Sequence, residues 1–496
     1  MKWNFDNMLK LFMMDNNSKL LSKGQFGIER EAQRVTSNGN LALTPHPEVF
    51  GDKEENKYIT TDFSESQIEI ITPAFDSVEK VYSSLEELHL EVVKGIGDEL
   101  LWPLSMPPRL PPEEQIPVAK FKPSVEGAER TAYRNGLALR YGKKMQMISG
   151  IHFNISYTEE LVSLLYESFG GAKSLNAFRN DMYLSITRNF LRYRWLLIYL
   201  FGASPSCDET YIPIISRELE IIKQCCPQYI DIMGGFNQFA TSLRVSRFGY
   251  SNAANSRYDV FYNSLEEYIR KINIMMTTKS QKYSKLFPKG FNYTDNLEGM
   301  PQLNGNILQK ESEFYSPIRL KQNLKRGETQ LEALGERGVK YLEIRILDVN
   351  PFDKCGISLE QMQFLQVFML YCLFESSPEI NRTELEIINV NHNLTALMGR
   401  KKDLLLYDKE QRLTSLKEIG EAIFIKLGYI AYLMDKATGD EKYLRCINHE
   451  YLKITNTSLL PSEIIHSEMK QSNIDFIEYG LGLTKKSEEL QMIMKV

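Results

Sequence analysis

The segment Gly24-Gln25-Phe26-Gly27-Ile28-Glu29-Arg30-Glu31, near the start of the 496-residue chain, predicts a β-strand on which the rest of the fold depends. Side chains of a β-strand alternate between two faces, so Glu29 and Glu31 share one face with their stems about 7 Å apart. Ile28 and Ala32 can then face a core on the other side. Two carboxylates on one face repel each other unless cations lie between them. An isolated pair of this kind is more often a solvated sheet surface, so the rest of the chain must decide.

Three later segments, at residues 60–73, 147–156 and 340–348, alternate in the same way. Apolar residues such as Ile68, Phe153 and Ile344 occupy one face of each predicted strand. Four strands with one apolar and one charged face predict a single sheet. Its polar face collects four carboxylates and one imidazole, with Arg345 beside them: Glu29, Glu31, Glu69, His152 and Glu343. Oxygen ligands with one imidazole suit Mg²⁺ or Mn²⁺, so this face predicts a site for a polyphosphate.

The composition describes an ordinary globular protein, with 43% hydrophobic and 25% charged residues. The net charge of −5 argues against a nucleic-acid surface and gives no attraction to membranes. The N-terminal residues contain no apolar signal core, and no run approaches the 18 apolar residues of a membrane helix. We therefore expect a cytoplasmic protein.

Sequence motifs for several other chemistries are missing from the chain. None of the six cysteines forms a C-x-x-C pair, so we expect reduced thiols and neither a zinc clamp nor a redox motif. Neither a Walker A loop nor a G-x-G-x-x-G motif occurs. A nucleotide held mainly through carboxylate-bound metal ions and arginines needs neither of them.

The remaining pattern predicts mostly helices. Helical periodicity or apolar anchors lie at 1–22, 77–101, 161–169, 174–201, 358–374 and 415–436. Residues 107–129, rich in Pro and charge, predict a long loop, and 241–250 predict a strand and turn. Arg188, Arg192 and Arg194 are expected to reach the helix surface rather than to bind phosphate. We expect one compact unit, with a catalytic core at 1–356 and a mainly helical part at 357–496.

Four motifs together resemble one family, the glutamate–cysteine ligases. They are G-I-E-R-E, T-T-D-F-S-E-S-Q-I-E-I-I-T-P, M-Q-M-I-S-G-I-H-F-N and Y-L-E-I-R-I-L-D-V-N-P, between about Gly24 and Pro351. The resemblance is to the bacterial type whose ligase module is also found fused to a glutathione synthetase. It implies an α+β fold, with a curved and mostly antiparallel sheet of the glutamine synthetase type surrounded by helices.

The resemblance also implies a reaction. ATP would phosphorylate the γ-carboxylate of L-glutamate, and the amine of L-cysteine would displace phosphate to give γ-glutamylcysteine, the first step of glutathione biosynthesis. Two to three Mg²⁺ or Mn²⁺ ions would be needed. Two rivals stay open: a related ligase that joins glutamate to another amine, and a catalytically silent homologue that binds metal or nucleotide.

Residue roles follow from the same resemblance. The metal ligands would be the five polar-face residues named above, and Arg345 or Arg134 would stabilise the migrating phosphoryl group. Arg244 would clamp the glutamate α-carboxylate. The other substrate-binding residues would be Gln146, Phe63, Tyr133, Tyr250 and Tyr315, the four aromatics forming the cysteine pocket. Arg319 and Lys321 would contact the nucleotide. Without the resemblance, we would interpret His152 as a structural residue and Arg244 as a surface residue. The four aromatic residues would be interpreted as part of the core.

One difference from the fused relatives has a consequence for the product. After Thr484 the chain has no length for a glutathione synthetase domain before it ends at Val496. We expect it to stop at γ-glutamylcysteine, with a separate glutathione synthetase downstream if glutathione is made. A monomer is expected.

Overall fold

A mixed sheet-and-helix fold is built by the residues that the computed structural model describes, 2–14, 16–225, 236–249, 259–287 and 299–493. The strands are β1 (Gly24–Val35), β2 (Ile59–Thr60), β3 (Gln67–Ile71), β4 (Leu100–Leu101), β5 (Ile151–Tyr157), β6 (Ile318–Lys321), β7 (Tyr341–Leu347), β8 (Leu405–Tyr407) and β9 (Leu413–Ser415). The helices before residue 300 are α1 (Phe5–Met13), α2 (Val78–Gly95), α3 (Val125–Tyr141), α4 (Glu159–Phe169), α5 (Leu175–Phe201), α6 (Ile212–Cys225), α7 (Phe236–Phe239) and α8 (Leu265–Thr277). The later helices are α9 (Gln330–Arg337), α10 (Leu359–Phe374), α11 (Arg382–Met398), α12 (Leu416–Thr438), α13 (Lys442–Thr455), α14 (Pro461–Ser472) and α15 (Phe476–Ile493).

The main sheet has the strand order β2-β3-β1-β5-β7-β6, and β4 pairs with the end of β1. Each neighbouring pair in it is antiparallel. The predicted α+β class with an antiparallel sheet is therefore confirmed. β8 and β9 form a separate small hairpin.

The register of the sheet aligns the predicted polar residues across strands. Glu29 lies opposite His152, and Glu31 lies opposite Glu69. Glu343 lies between Asn154 on β5 and Arg319 on β6. Because cross-strand partners share a face, the alternation read from the sequence collects these side chains on one side of the sheet.

The opposite face of the sheet packs into the main hydrophobic core. Ile28, Phe153 and Ile344 are fully buried there, with α5 packed across β6 and β7. α10 is apolar on nearly every side because it packs against α2, α5, α12 and α13. The main core thus includes residues from both sides of position 356, and the division predicted there stays a prediction.

Arg30 interrupts the apolar face of β1 between the two glutamates. Its Nη1 donates to the Lys354 carbonyl oxygen at 2.9 Å and lies 2.9 Å from Nδ1 of His89. The buried guanidinium therefore fastens β1 to α2 and to the loop after β7. Strand alternation indicates only Ile28 and Ala32 as core-facing, and no motif in the sequence indicates this anchor.

Two predictions about local structure are wrong. The loop expected at 107–129 gives way to α3 at Val125, where the side chain of Ser124 accepts from the Gly127 amide and starts the helix. Residues 241–246 form turns instead of a strand, because Leu243 donates to the Ser204 carbonyl and Thr241 to that of Ala396. Tertiary hydrogen bonds outweigh the strand propensity of this short segment.

The arginines of α5 also differ from expectation. Arg188 and Arg194 are buried, and Arg188 donates to the carbonyl oxygens of Tyr262 and Ser377. Arg194 donates to Asn389 Oδ1 at 2.8 Å. They cross-link helices and loops inside the protein instead of reaching its surface. No described helix is long and apolar enough to cross a membrane.

Candidate active site

Glu29 is the centre of the polar face. Its Oε2 lies 3.0 Å from Nδ1 of His152, and its Oε1 accepts from Nδ2 of Asn154 at 3.0 Å. The other ring nitrogen of His152 lies 3.6 Å from Oε1 of Glu31, whose Oε2 accepts from the Gly150 amide at 2.8 Å. One imidazole therefore separates the two carboxylates that β1 presents.

Glu29, His152 and Glu343 form a group with the geometry of a metal site. One ligand atom from each lies within 4.8 Å of the others. Oε2 of Glu343 is buried and has no hydrogen-bond partner among the described residues. The side-chain cations of Lys321 and Arg319 lie 3.8 and 3.9 Å from this oxygen, too far to donate to it, so its lone pairs stay available to a metal ion. Two carboxylates and one imidazole are a donor set that fits Mg²⁺ or Mn²⁺.

A second acidic group lies at the β3 side of the face. Burial, followed by the charges of Asp62, Glu29 and Glu31, raises the pKa of Glu69 well above its usual value. Burial is also the main cause of the raised pKa of Glu31, although His152 opposes it. Asp62 was not among the predicted site residues. It lies in the turn before β3, where strand alternation assigns no face.

Three cations surround Glu343 at the opposite side. Arg345 Nη1 donates to Oε1 at 3.3 Å, while Lys321 Nζ and Arg319 Nη1 lie 3.8 and 3.9 Å from Oε2. Burial alone would raise the pKa of Glu343, but the charges of Lys321, Arg345 and Arg319 outweigh it and lower the pKa. The face is thus electropositive beside β6 and crowded with carboxylates beside β3.

The two arginines predicted to stabilise a phosphoryl group differ in their surroundings. Arg134 lies at the acidic side, where its guanidinium donates to the carbonyl oxygens of Asp62, Thr61 and Arg130 and packs on Phe121. Arg345 Nε has no hydrogen-bond partner in the described part of the chain. Arg345 therefore retains donor capacity, whereas Arg134 uses its donors to hold the loop that carries Asp62.

Arg244 is only 1% exposed, so it is not the surface residue that its sequence context alone would predict. Nη2 donates to the Arg345 carbonyl oxygen at 2.9 Å, and Nη1 lies 3.8 Å from Oδ1 of Asp348. Neither Nε nor Nη1 has a hydrogen-bond partner within the described residues. A Cβ at Gly150 would lie 1.9 Å from Nη2, so only glycine leaves room for this guanidinium.

The loop that bears Arg244 is fixed by Asp348, at the end of β7. Oδ2 of Asp348 accepts from Ser204 Oγ at 2.6 Å and from the Ala203 amide at 2.8 Å. Oδ1 accepts from Ser242 Oγ at 3.0 Å. The buried arginine is therefore held in place while two of its nitrogens remain available, which is the arrangement a carboxylate clamp needs.

Four of the remaining predicted residues lie in the described part of the chain, each in a different segment. Tyr133 on α3 accepts from Ser312 Oγ at 3.0 Å, and burial raises its pKa to about 12. Burial lowers the pKa of the Arg345 guanidinium, but the charges of Glu343, Glu31 and Glu29 outweigh it and raise that pKa, and Tyr315 adds to their effect. Phe63 is buried in a second, smaller core, and Gln146 is buried in the turn Met145–Met147. Tyr250 lies outside the described residues. The roles of all five stay predictions.

A fully buried ion pair joins α3 to the loop before β6. Arg140 Nη1 lies 2.9 Å from Oε1 of Glu313, which also accepts from Tyr141 OH at 2.7 Å. A Cβ at Gly136 would lie 1.9 Å from Oε1 of Gln309, so the loop lies directly against the helix. This contact sets the position of Tyr133 and Arg134, and no sequence pattern indicated it.

The thiols of Cys207, Cys355, Cys372 and Cys446 are free, as expected, and burial raises the pKa of each. The values for Cys207 and Cys355 reach about 12. Such thiols are protonated at neutral pH and are poor nucleophiles. Cys226 lies outside the described residues.

The model of the family described as glutamate-cysteine ligase matches residues 9–395 of this chain. The chain belongs to the glutamate–cysteine ligase family. It is 56% identical to the glutamate–cysteine ligase of Clostridium acetobutylicum, over 97% of this chain and 99% of that protein. The enzyme of Pseudomonas putida is 39% identical over 97% of this chain and 89% of its own length.

Two solved structures share the glutamate–cysteine ligase fold. The glutamate–cysteine ligase of Francisella tularensis, in complex with AMP, has a TM-score of 0.82 and 31% identity, covering 94% of this chain and 89% of that one. A bifunctional glutathione synthetase of Pasteurella multocida has a TM-score of 0.74 and 28% identity. It is matched over 99% of this chain and 55% of its own length.

These relatives decide between the hypotheses that the sequence left open. High identity over nearly the full chain supports ATP-dependent formation of γ-glutamylcysteine as the activity. Neither a ligase for a different amine nor a silent homologue is favoured.

The crowding around Glu69 predicts an unusual response of stability to pH. Because its pKa is raised in the folded chain, its favourable contribution is present at acid pH and is lost as pH rises through that pKa. In metal-free protein at pH 8, Glu69→Gln should therefore have a larger free energy of unfolding than wild type. At pH 4, where Glu69 is mostly protonated in both the folded and the unfolded chain, the two proteins should be about equally stable.

Calorimetry with and without Mg²⁺ checks this expectation. Saturating Mg²⁺ should reverse the order at pH 8, because binding to the native state stabilises it and the variant lacks a ligand. Glu87→Gln changes an exposed residue on α2 and is the matched control. It should show neither the higher stability at pH 8 without metal nor the reversal with Mg²⁺. An order of stability that Mg²⁺ leaves unchanged would contradict metal binding at Glu69.

Proposed function

We propose that the polar face of the sheet binds ATP through divalent ions and joins the γ-carboxylate of L-glutamate to the amine of L-cysteine. The observation that carries the proposal is the approach of Glu29, His152 and Glu343 to within 4.8 Å beside a second buried acidic group. The family supplies the reaction, and this geometry supports its location.

Two groups of residues would hold the metal ions. Glu29, His152 and Glu343 form one group, and Glu31, Glu69 and Asp62 form the other. These five carboxylates carry about five negative charges, which two to three divalent ions would approximately balance. When bound, ions held by these residues would supply positive charge to offset that of the polyphosphate during the reaction.

Arg345 is the residue we assign to the migrating phosphoryl group. Its guanidinium contacts Glu343 and keeps Nε free of hydrogen bonds within the described chain. A preorganised donor of this kind stabilises charge without reorganisation at the moment of reaction. Arg134 is the weaker candidate, because its nitrogens already donate to three carbonyl oxygens.

Arg319 and Lys321 are assigned to the nucleotide. Both extend from β6 toward Glu343, and Arg319 Nη2 is held by the carbonyl oxygens of Ser312 and Phe314 at 2.6 and 3.1 Å. Cations on this side of the face complement the phosphates of ATP without the glycine-rich loop that the sequence lacks.

The substrate residues are assigned by their available contacts. Arg244 would bind the glutamate α-carboxylate through Nε and Nη1. Tyr133 and Tyr315, near the loop that precedes β6, are assigned to the cysteine side. Phe63, Gln146 and Tyr250 keep the roles that the family resemblance implies.

The reaction would proceed in two displacements. A γ-carboxylate oxygen of glutamate attacks the γ-phosphorus of ATP, and ADP leaves, giving γ-glutamyl phosphate. The amine nitrogen of cysteine then attacks the acyl carbon, the carbon–oxygen bond breaks, and phosphate leaves as the amine loses a proton. The protein contributes position and charge. The cytoplasmic location and a separate downstream glutathione synthetase remain predictions.

A phosphate-release assay with an amine panel tests the proposed activity. With L-glutamate, ATP and Mg²⁺, L-cysteine should give the highest kcat/KM and γ-glutamylcysteine by mass spectrometry. Glu343→Gln keeps the shape of the side chain but removes a charged ligand, so turnover should fall at least about a hundredfold. Glu336→Gln, exposed on α9, is the control.

Two results would refute this assignment. A higher kcat/KM with a different amine would move the activity to another ligase, and a fully active Glu343→Gln would remove the polar face from the mechanism.

Arg244→Lys separates glutamate binding from nucleotide binding. Loss of a bidentate clamp costs about 2–4 kcal/mol, so KM for glutamate should rise by tens of fold or more while KM for ATP stays nearly constant. Gly150→Ala should shift KM in the same direction by displacing the guanidinium. Gly482→Ala, where a Cβ meets open space, should leave both constants unchanged. Equal changes for glutamate and ATP would place Arg244 outside the glutamate site.

A further inference from the structure

One face of α12 is exposed although it carries large apolar side chains. The helix buries Leu427, Ile430 and Met434 against the main core. On the other side Ile425 is 63% exposed, and Tyr429 and Tyr432 are each 53% exposed. Single exposed apolar residues are common, but three in a line on one helix mark an interaction surface.

These three residues belong to a longer exposed line, which we name the α12 stripe. Its members are Glu418, Ala422, Ile425, Tyr429, Tyr432 and Lys436. They are spaced by 4, 3, 4, 3 and 4 residues, which keeps them on one side of the helix. The same spacing defines the contact seam of paired helices. The stripe is therefore a continuous exposed face of α12, long enough for a second helix to pack along it.

We propose that the α12 stripe binds the α12 stripe of a second copy of this chain, with the two helices antiparallel. A two-fold axis that crosses the stripe at the level of residue 427, midway along it, brings Glu418 next to Lys436 of the other copy. The same axis brings Ala422 to Tyr432 and Ile425 to Tyr429. Opposite charges then meet at both ends, and a small residue faces a large one between them.

The charges of the stripe select this orientation. Parallel helices would place Glu418 against Glu418 and Lys436 against Lys436, and such like-charge contacts are unfavourable. Within one chain the two residues are 18 positions apart on the helix, about 27 Å, so they cannot pair with each other. Neither takes part in an ion pair among the described residues, whereas neighbouring Lys417 approaches Glu421 at 3.9 Å. In a two-fold symmetric dimer, the second copy supplies an opposite charge to both Glu418 and Lys436.

The centre of the stripe permits close approach. A Cβ at Gly428, next to the axis, would meet nothing within 4 Å. The stripe is also remote from the polar face, because α12 packs on α10 and α10 packs on α5, which lies across the apolar side of the sheet. Association would leave the active site open. The inference is independent of the proposed function and departs from the expected monomer.

Sedimentation velocity on the full chain at 1–100 µM tests the association. Wild type should form a dimer within this range, and Tyr429→Asp should be monomeric throughout because it places charges at the axis. Leu324→Asp, at an exposed apolar residue distant from α12 in sequence, should dimerise like wild type. A wild-type monomer at 100 µM, or a dimer that survives Tyr429→Asp, would overturn the proposal.

Charge reversal tests the antiparallel register. Glu418→Lys and Lys436→Glu alone should each raise the dimer Kd about tenfold, since each change occurs twice in a symmetric pair. The double reversal should bring Kd back to within about threefold of wild type, because the opposite charges meet again. A double variant as weak as the single ones would contradict the register. Unchanged kcat in all variants would confirm that they are folded.

Discussion

The structure depends on one electrostatic constraint: β1 presents Glu29 and Glu31 on the same face at the centre of a sheet. Their repulsion is partly relieved by His152 between them, by Asn154 and by the Gly150 amide. The relief is incomplete at the β3 side, where burial and neighbouring carboxylates keep the pKa of Glu69 raised. An acidic surface that the protein itself does not neutralise would attract divalent metal ions, which is why we propose the polyphosphate site there.

The rest of the fold holds these carboxylates in register. The apolar face of the sheet packs on α5, and α10 forms the layer beneath it. Arg30 ties β1 to α2 and to the loop after β7, so the strands that bear Glu29 and Glu343 share an anchor on the far side of the sheet. On the near side, Asp348 fixes the loop that carries Arg244.

Period-two alternation in the sequence was enough to predict the sheet and to place Glu29, Glu69, His152 and Glu343 on one face, because that pattern depends only on strand geometry. It could not place Asp62, which lies in a turn. α3 was missed because the Pro-rich approach to it reads as loop and its main anchor is a contact with residue 313, far along the chain. Non-local hydrogen bonds likewise converted the predicted strand at 241–246 into turns.

The proposed role of the polar face is tested most directly by locating bound metal ions. Crystals grown with Mn²⁺ and a non-hydrolysable ATP analogue would give anomalous differences at the manganese edge. We expect one peak about 2.0–2.3 Å from ligand atoms of Glu29, His152 and Glu343, and another beside Glu31 and Glu69. Nucleotide bound with no manganese at the polar face would contradict the proposed role.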